Sequence, residues 1–229
     1  MTAKKLSIDS KKRVILVDDH PMMRQGIAQL INEQIDLEVC CEAGNAPDAM
    51  KFIECSQPDL AIVDVSLDGS SGLELIKDLR ERHPDVLVLV LSMHEESVYA
   101  ERMLSAGARG YIMKNAGGGT VLAAIRQVFG GRVYLSEKMS ARVLNSLADV
   151  KSQGSQSPIK GLTDREFEVF ELLGEGKTTL EIALQLHLSP KTVDAHRRHI
   201  KQKLQVKTAT ALVRYAVRWI EAQNAGMTR

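Results

Sequence analysis

Through its first 131 residues the chain repeats one pattern, a short apolar run followed by an amphipathic stretch, and then the pattern stops. The runs cover residues 14–17, 37–41, 60–63, 86–91 and 111–113. The stretches that follow them cover 22–34, 46–54, 72–82, 96–106 and 119–129. β-Branched runs of this length suit buried strands, and apolar residues at helical spacing suit helices packed over them. Five such alternations predict a parallel α/β sheet. Pro47, Pro58 and Pro84 fall between or at the edges of these elements, where breakers belong.

The residues that end the runs carry the chemistry. Asp18 and Asp19 end the first, Asp64 the third, Ser92 the fourth and Lys114 the fifth. In an open parallel sheet ligands bind at the carboxyl ends of the strands. The pattern therefore delivers three carboxylates, a hydroxyl and an ammonium to one edge. Clustered carboxylates repel each other, which is tolerable only beside a cation or a lysine. Singly, an Asp-Asp pair marks a turn and a lysine after a strand is solvated; the requirement for charge balance makes the set stronger than its members.

Beyond residue 131 the strand pattern is gone. Residues 136–150 predict a helix with Ser136 as N-cap and Met139, Val143, Leu144 and Leu147 on one face. Residues 151–161 are polar and flexible in composition, as a linker is. Four helical segments follow, at 163–174, 178–187, 190–205 and 208–222. Thr163 with Glu166 is a capping box, and Ser189-Pro190 sets an N-cap before a proline at the first helical position. Only residues 187–190 separate the second and third segments, a helix-turn-helix connection. The third presents Lys191, Asp194, Ala195, Arg198 and Lys201 on one side, with Val193, Ile200 and Leu204 on the buried side.

Charge follows the same division. Net charge is +1, yet residues 161–229 hold eleven Lys and Arg against eight Asp and Glu. Residues 191–207 hold six basic residues against one acid. Such local clustering suits a nucleic-acid contact; a solvated face or a protein-binding hairpin is the plainer alternative. A length of 229 residues suits one large domain or two small ones. Cys40, Cys41 and Cys55 have no metal-ligand spacing, and the adjacent pair reads as small buried apolar residues. The N-terminal positive charges precede no apolar signal segment, and no stretch approaches the roughly 20 apolar residues of a membrane span. The expectation is a cytoplasmic protein without membrane contact.

Segment 162–204, LTDREFEVFELLGEGKTTLEIALQLHLSPKTVDAHRRHIKQKL, resembles the LuxR-type helix-turn-helix almost end to end. VDDHP at 17–21, Asp64, Gly72-Leu73-Glu74-Leu75, Ser92 and AGARGY at 106–111 before Lys114 resemble a response-regulator receiver. Together they cover nearly the whole chain in the order of NarL/FixJ-type two-component response regulators. The resemblance implies a flavodoxin-like (βα)5 receiver over residues 12–131, a linker helix and flexible linker over 132–161, and an all-α four-helix DNA-binding domain over 162–229.

It also implies roles. Asp64 would accept a phosphoryl group from a sensor histidine kinase. Asp19 and Asp64 would ligate Mg²⁺, Asp18 mainly through water, with the Ser66 backbone carbonyl as a further ligand, a donor set that suits a hard cation. Lys114 and Ser92 would hold phosphoryl oxygens, and Tyr111 would be the aromatic whose rotamer accompanies activation; its alternative is an ordinary strand tyrosine. Ser66 and His94 would flank the approach of hydrolytic water. Base-reading positions fall on Asp194, Ala195 and Arg198, with Lys191, Thr192, His196, Arg197 and Lys201 nearer the phosphates of double-stranded DNA; His196 reads equally well as a packing residue. Two departures stand out. Asp194 replaces a frequent lysine and could accept from cytosine or orient Arg198, and Asp68 replaces a frequent proline after the phosphoacceptor. Gly117-Gly118-Gly119 lacks the GxxxxGK[ST] context of a phosphate loop and reads as the lead into the fifth receiver helix.

The resulting expectation is a regulator in which phosphorylation controls dimerisation and sequence-specific DNA binding, regulating transcription, without turnover of a separate substrate. The enzyme alternative is an aspartyl-phosphate phosphatase, which usually carries a second Asp where this chain has Ser66. A receiver acting through protein contacts alone is the third reading, against which Arg197, Arg198 and Lys201 argue.

Overall fold

The computed structural model describes residues 11–67, 70–148 and 158–226. Packing divides the chain near residue 140 into two compact units. The first runs β1 (Lys12–Val17), α1 (Pro21–Asn32), β2 (Leu37–Ala43), α2 (Ala46–Ser56), β3 (Leu60–Val63), the two-residue strands β4 (Ser66–Leu67) and β5 (Ser70–Ser71), and α3 (Gly72–Arg82). It continues through β6 (Leu87–Ser92), α4 (Glu96–Ala106), β7 (Gly110–Met113) and α5 (Gly118–Phe129), and the division falls within α6 (Glu137–Ala148).

The five longer strands form one parallel sheet in the order β2-β1-β3-β6-β7, the flavodoxin-like order that reverses between β1 and β3. β1 and β3 are buried along their apolar runs because helices cover both faces of the sheet. Successive side chains on a strand face opposite ways. Val14, Leu16, Leu60, Ile62, Leu89 and Leu91 join Ala28 and Ile31 of α1 and Val121, Ala124, Ile125 and Val128 of α5 in one core. The alternate residues, including Ile15, Val17, Val63 and Val90, are equally buried on the face covered by α2 to α4. Removing a large side chain from either layer would cost about 2–5 kcal/mol.

Register brings the strand ends together. Val17 pairs with Val63 and Val63 with Val90, so Asp18 and Asp64 are each one step beyond paired neighbours. Ser92 pairs with Met113, which puts Lys114 one step beyond it. Backbone bonds hold these residues at the edge: Asp64 N–H donates to Val17 O at 2.8 Å and Lys114 N–H to Ser92 O at 2.7 Å. Gly72 is fixed by the same crowding. A Cβ on it would lie 2.0 Å from the Asp64 carbonyl oxygen and 2.9 Å from Val65 backbone atoms. Only glycine lets α3 start against the segment that carries the central carboxylate.

Three expectations are refined here. Cys40 and Cys41 are half-buried rather than core residues, because β2 is an edge strand, and Cys55 is exposed. Gly117 is the N-cap of α5, and a Cβ on Gly118 would touch Leu30 of α1 at 3.1 Å, so the glycine run leads a helix in against its neighbour. Ser136 does cap α6, accepting from Met139 N–H at 3.1 Å, and Met139 is buried. Leu144 and Leu147 of the expected apolar face lie outside the described side chains, as do Asp68 and most of the expected linker.

The second unit holds a 3₁₀ turn (Pro158–Gly161), then α7 (Asp164–Gly174), α8 (Thr179–Gln185), α9 (Pro190–Lys203) and α10 (Ala209–Gly226). Three caps set its helix starts. Thr163 Oγ1 accepts from Glu166 N–H at 3.3 Å while Thr163 N–H donates to Glu166 Oε2 at 2.8 Å. Thr178 and Glu181 repeat this box, and Ser189 Oγ accepts from Thr192 N–H at 3.1 Å. Such caps contribute about 1 kcal/mol each. Phe167, Val169, Phe170, Leu173, Ile182, Val193 and Ile200 form the core, with Trp219 set edge-on to Phe167 and Phe170 at 5.6 Å. Leu212 and Ala216 of α10 are fully buried within this core, whereas Val213 and Val217 remain half-exposed.

Candidate functional site

The sheet edge gathers a charged cluster. Lys114 Nζ lies 2.6 Å from Asp64 Oδ2 and 2.7 Å from Asp18 Oδ2, and its side chain is only 3% exposed. Asp64 and Asp18 are buried at 4% and 6% exposure, while Asp19 is partly open to solvent. Burial pushes the Asp64 carboxyl up to about 6, against the pull of the Lys114 ammonium. Burial opposes the charge on Lys114 as well, but its bonds to Asp18 and Asp64 outweigh that and raise it. One ammonium therefore serves two carboxylates, and the third, Asp19, lies outside its reach among the contacts made here.

Asp18 is engaged on both oxygens, since its Oδ1 also accepts from His20 N–H at 2.8 Å. Asp64 Oδ1 receives only a long bond, 3.4 Å, from Ser66 N–H. Asp19 Oδ1 is buried and has no hydrogen-bond donor. His20 Nδ1 is 2.6 Å away, but without the geometry of a hydrogen bond. Distance and geometry disagree at this contact, and directionality decides it, since a ring N–H must point at its acceptor. An orphaned carboxylate oxygen facing a second under-bonded carboxylate is what an oxygen-seeking cation satisfies. The side chains of Asp18, Asp19, His20 and Asp64 each place a donor atom within 4.8 Å of the others. The residues fit Mg²⁺, and His20 is the member that reading the sequence missed.

Around the cluster, Ser92 is fully buried and its Oγ accepts from His94 N–H at 3.1 Å. Tyr111 is turned inward, 1% exposed, and its hydroxyl donates to the His94 carbonyl at 2.8 Å. Burial drives that hydroxyl well above the usual tyrosine range. Ser66 Oγ and His94 Nε2 meet at 2.7 Å, joining the two loops that follow β3 and β6. Burial, with Lys114 nearby, holds the His94 imidazole down at about 4, so it is neutral near pH 7. Arg24, unremarked in the sequence, donates to the Asp18 carbonyl and lies 3.3 Å from Glu42, tying the ends of β1 and β2.

In the second unit, α9 exposes Lys191, Asp194 and Arg198 and half-exposes Thr192, Ala195, His196, Arg197 and Lys201. Val193 and Ile200 are its buried anchors. Arg197 is less free than expected: its guanidinium donates to Thr179 Oγ1 of α8. Asp194 Oδ1 is 3.5 Å from Arg197, so the acid faces that arginine and does not orient Arg198. His196 is half-buried near Glu166, and burial lowers its imidazole. Lys203, which no motif singled out, donates to Glu166 Oε2 at 2.7 Å and locks the end of α9 to the capping box of α7. The surface left for a ligand is short, basic and narrow at Ala195, as an element entering the major groove must be.

Residues 14–126 match the family described as response regulator receiver domain, and residues 160–216 match bacterial regulatory proteins of the luxR family. The chain is 36% identical over 210 residues to oxygen regulatory protein NreC of Staphylococcus carnosus, covering 90% of this chain and 97% of that protein. NreC of Staphylococcus haemolyticus is 34% identical with the same coverage. Among solved structures, RcsB of Salmonella enterica serovar Typhimurium, bound to promoter rprA with the phosphomimetic BeF3⁻, superposes with TM-score 0.67 at 23% identity, over 90% of this chain and 98% of that one.

Proposed function

The chain belongs to the NarL/FixJ-type two-component response regulators, with a receiver domain and a LuxR-type DNA-binding domain, and from that premise we propose that a sensor histidine kinase phosphorylates Asp64 to control DNA binding by α9. The observation that carries the proposal is the Lys114 ammonium held between the buried Asp18 and Asp64 carboxylates. Asp64 is the only one of the three acids that is both buried and short of strong hydrogen bonds on one oxygen. The Asp64 carboxylate is the nucleophile. A new bond forms from it to phosphorus as the bond from phosphorus to the kinase histidine nitrogen breaks, the electron pair leaving with that nitrogen.

The reaction asks mainly for positioning and charge stabilisation. Asp19 and Asp64 would hold Mg²⁺, with Asp18 acting through water and the Ser66 carbonyl as a further ligand; bound there, the cation neutralises charge on the transferring group. Lys114 would shift from the carboxylates towards a phosphoryl oxygen, and the Ser92 hydroxyl would exchange its His94 contact for another. That exchange reaches Tyr111, whose hydroxyl hangs on the same His94 backbone. Ser66 and His94 flank the incoming water and set the lifetime of the phosphate.

For DNA, Arg198 and Ala195 would read base edges and Lys191, Thr192 and Lys201 would meet phosphates, with Arg197 and His196 mainly supporting α9. Asp194 restrains Arg197. Two copies reading an inverted repeat one helical turn apart would supply specificity that one short helix cannot, and the half-exposed Val213 and Val217 of α10 are left for that pairing. The receiver would span 12–131 and the DNA-binding domain 162–229. Among the described residues no helix is long and apolar enough to cross a membrane, which accords with work in the cytoplasm. A family of DNA-binding regulators does not call for turnover of a separate substrate. Incubation with Mg²⁺ and a small phosphoryl donor tests the reading: one hydroxylamine-sensitive acyl phosphate on Asp64 is expected, and equal labelling of Asp64→Asn overturns it.

A further inference from the structure

The acid cluster contains a nitrogen. We infer that His20 is a direct ligand of the divalent cation, and that it biases the pocket toward a first-row transition ion such as Mn²⁺ over Mg²⁺. This rests on the reading of the pocket as a cation site. His20 Nδ1 lies 2.6 Å from Asp19 Oδ1 and 3.2 Å from Asp18 Oδ1, and it shares the cluster with Asp64. Among the described residues, the one hydrogen bond its imidazole makes is the contact with Asp18 Oδ1, inside the cluster itself. His20 is the N-cap residue of α1, yet its side chain makes no capping hydrogen bond, and the ring is 65% exposed. Asp19 Oδ1, beside the ring nitrogen, lacks a hydrogen-bond donor. A cation reached by both atoms gives that oxygen a partner and gives the imidazole a role.

The chemistry of the two donors sets the selectivity. Mg²⁺ prefers oxygen ligands and keeps several waters, so it gains little from an imidazole. Imidazole suits borderline ions, and affinity at nitrogen sites rises along the first row from Mn²⁺ onward, so Mn²⁺ shows the smallest gain of that row and sets the lower bound for the rest. Removing a mere supporting partner of a metal ligand costs about 10–100-fold in affinity, so losing a ligand should cost at least about tenfold. That loss should fall on Mn²⁺, with Mg²⁺ nearly unchanged.

Electron spin-echo measurements on Mn²⁺ bound to the full chain read the ligand directly. ¹⁴N coupling from one imidazole is expected in the native protein and in His94→Ala, and its disappearance is expected in His20→Ala. Calorimetric titration should show the Mn²⁺:Mg²⁺ affinity ratio falling at least about tenfold in His20→Ala. Mn²⁺ bound without ¹⁴N coupling, or a ratio unchanged by His20→Ala, overturns the role of His20 while leaving the cation site intact. Failure of both ions to bind, with Asp19→Ala behaving as the native protein does, overturns the cation site and this inference together.

Discussion

The sheet edge and α9 are both clusters of charge, and they are held in opposite ways. At the sheet edge, residues from four strand ends converge, and burial works against the charges it collects: Asp64 is pushed up to about 6, with one lysine shared between two acids. On α9 the charges come from a single helix, face water, and rest on Val193 and Ile200 beneath them. On the proposed function, the first arrangement stores free energy that an added cation or phosphoryl group would relieve. The second stores almost none, because exposed charges are already solvated. A pocket built under tension changes shape when its charge balance changes, whereas an exposed helix face simply waits for a polyanion. On the proposed function, the contrast divides the labour between switching and reading.

Gly72→Ala strikes the crowded region hardest. With its Cβ 2.0 Å from the Asp64 carbonyl oxygen, the backbone carrying the acid must move. A loss of about 3 kcal/mol in denaturant unfolding is expected, and a change under about 0.5 kcal/mol would show the edge to be looser than described. Asp64→Asn should move stability the other way. The folded value of about 6 lies above the ordinary 3.8, so the Asp64 contribution is present below about pH 4 and is lost as pH rises through about 6. At pH 7 without divalent cations, Asp64→Asn should therefore be about 1–3 kcal/mol more stable than the native chain, with the gap closing towards pH 4. Adding Mg²⁺ should stabilise the native chain only. A pH-independent difference would mean that burial tension is absent.

The helix answers different probes. Arg198→Ala should leave stability within about 0.5 kcal/mol yet cost about 1–3 kcal/mol in specific DNA binding and relax preference at one base pair. Arg197→Ala, which removes the bond to Thr179, should cost about 1 kcal/mol in unfolding free energy. Equal stability of the two arginine variants would erase the distinction between support and contact. Lys201→Ala, the mildest, should weaken all sequences alike and lower the salt slope of binding by about 1.

This difference also decides what could be read from the chain alone. α9 was legible almost completely, because a cap, a proline, an apolar stripe and a basic face follow one another at fixed spacing. The strand ends were legible too, since a run of Leu60 to Val63, one of five alternating with amphipathic stretches, reads as a buried strand that terminates at Asp64. What escaped were contacts between residues far apart or locally unremarkable. His20 looks like a residue next to a turn until α1 turns it over Asp19. Lys203 looks solvated until Glu166, thirty-seven residues earlier, is found beneath it. Gly72 was recognised by resemblance, and its physical reason, the closeness of α3 to the Asp64 carbonyl, exists only in three dimensions. The spacing of Leu212 and Ala216 left open whether they continue the core or pair with a second subunit; both are fully buried within the unit, where α10 packs on α7.

Control of the basic helix by the acid pocket is the central proposal, and a binding titration reaches that link directly. Full-length protein, phosphorylated on Asp64 or not, is titrated at one fixed salt concentration against a matched inverted repeat and a scrambled repeat. Fixing the salt matters because phosphate contacts alone shift affinity steeply with it. The expected result is that phosphorylation lowers the apparent dissociation constant for the matched repeat and much less for the scrambled one, and that Asp64→Asn abolishes the response. The same affinity for both repeats in both phosphorylation states would contradict it.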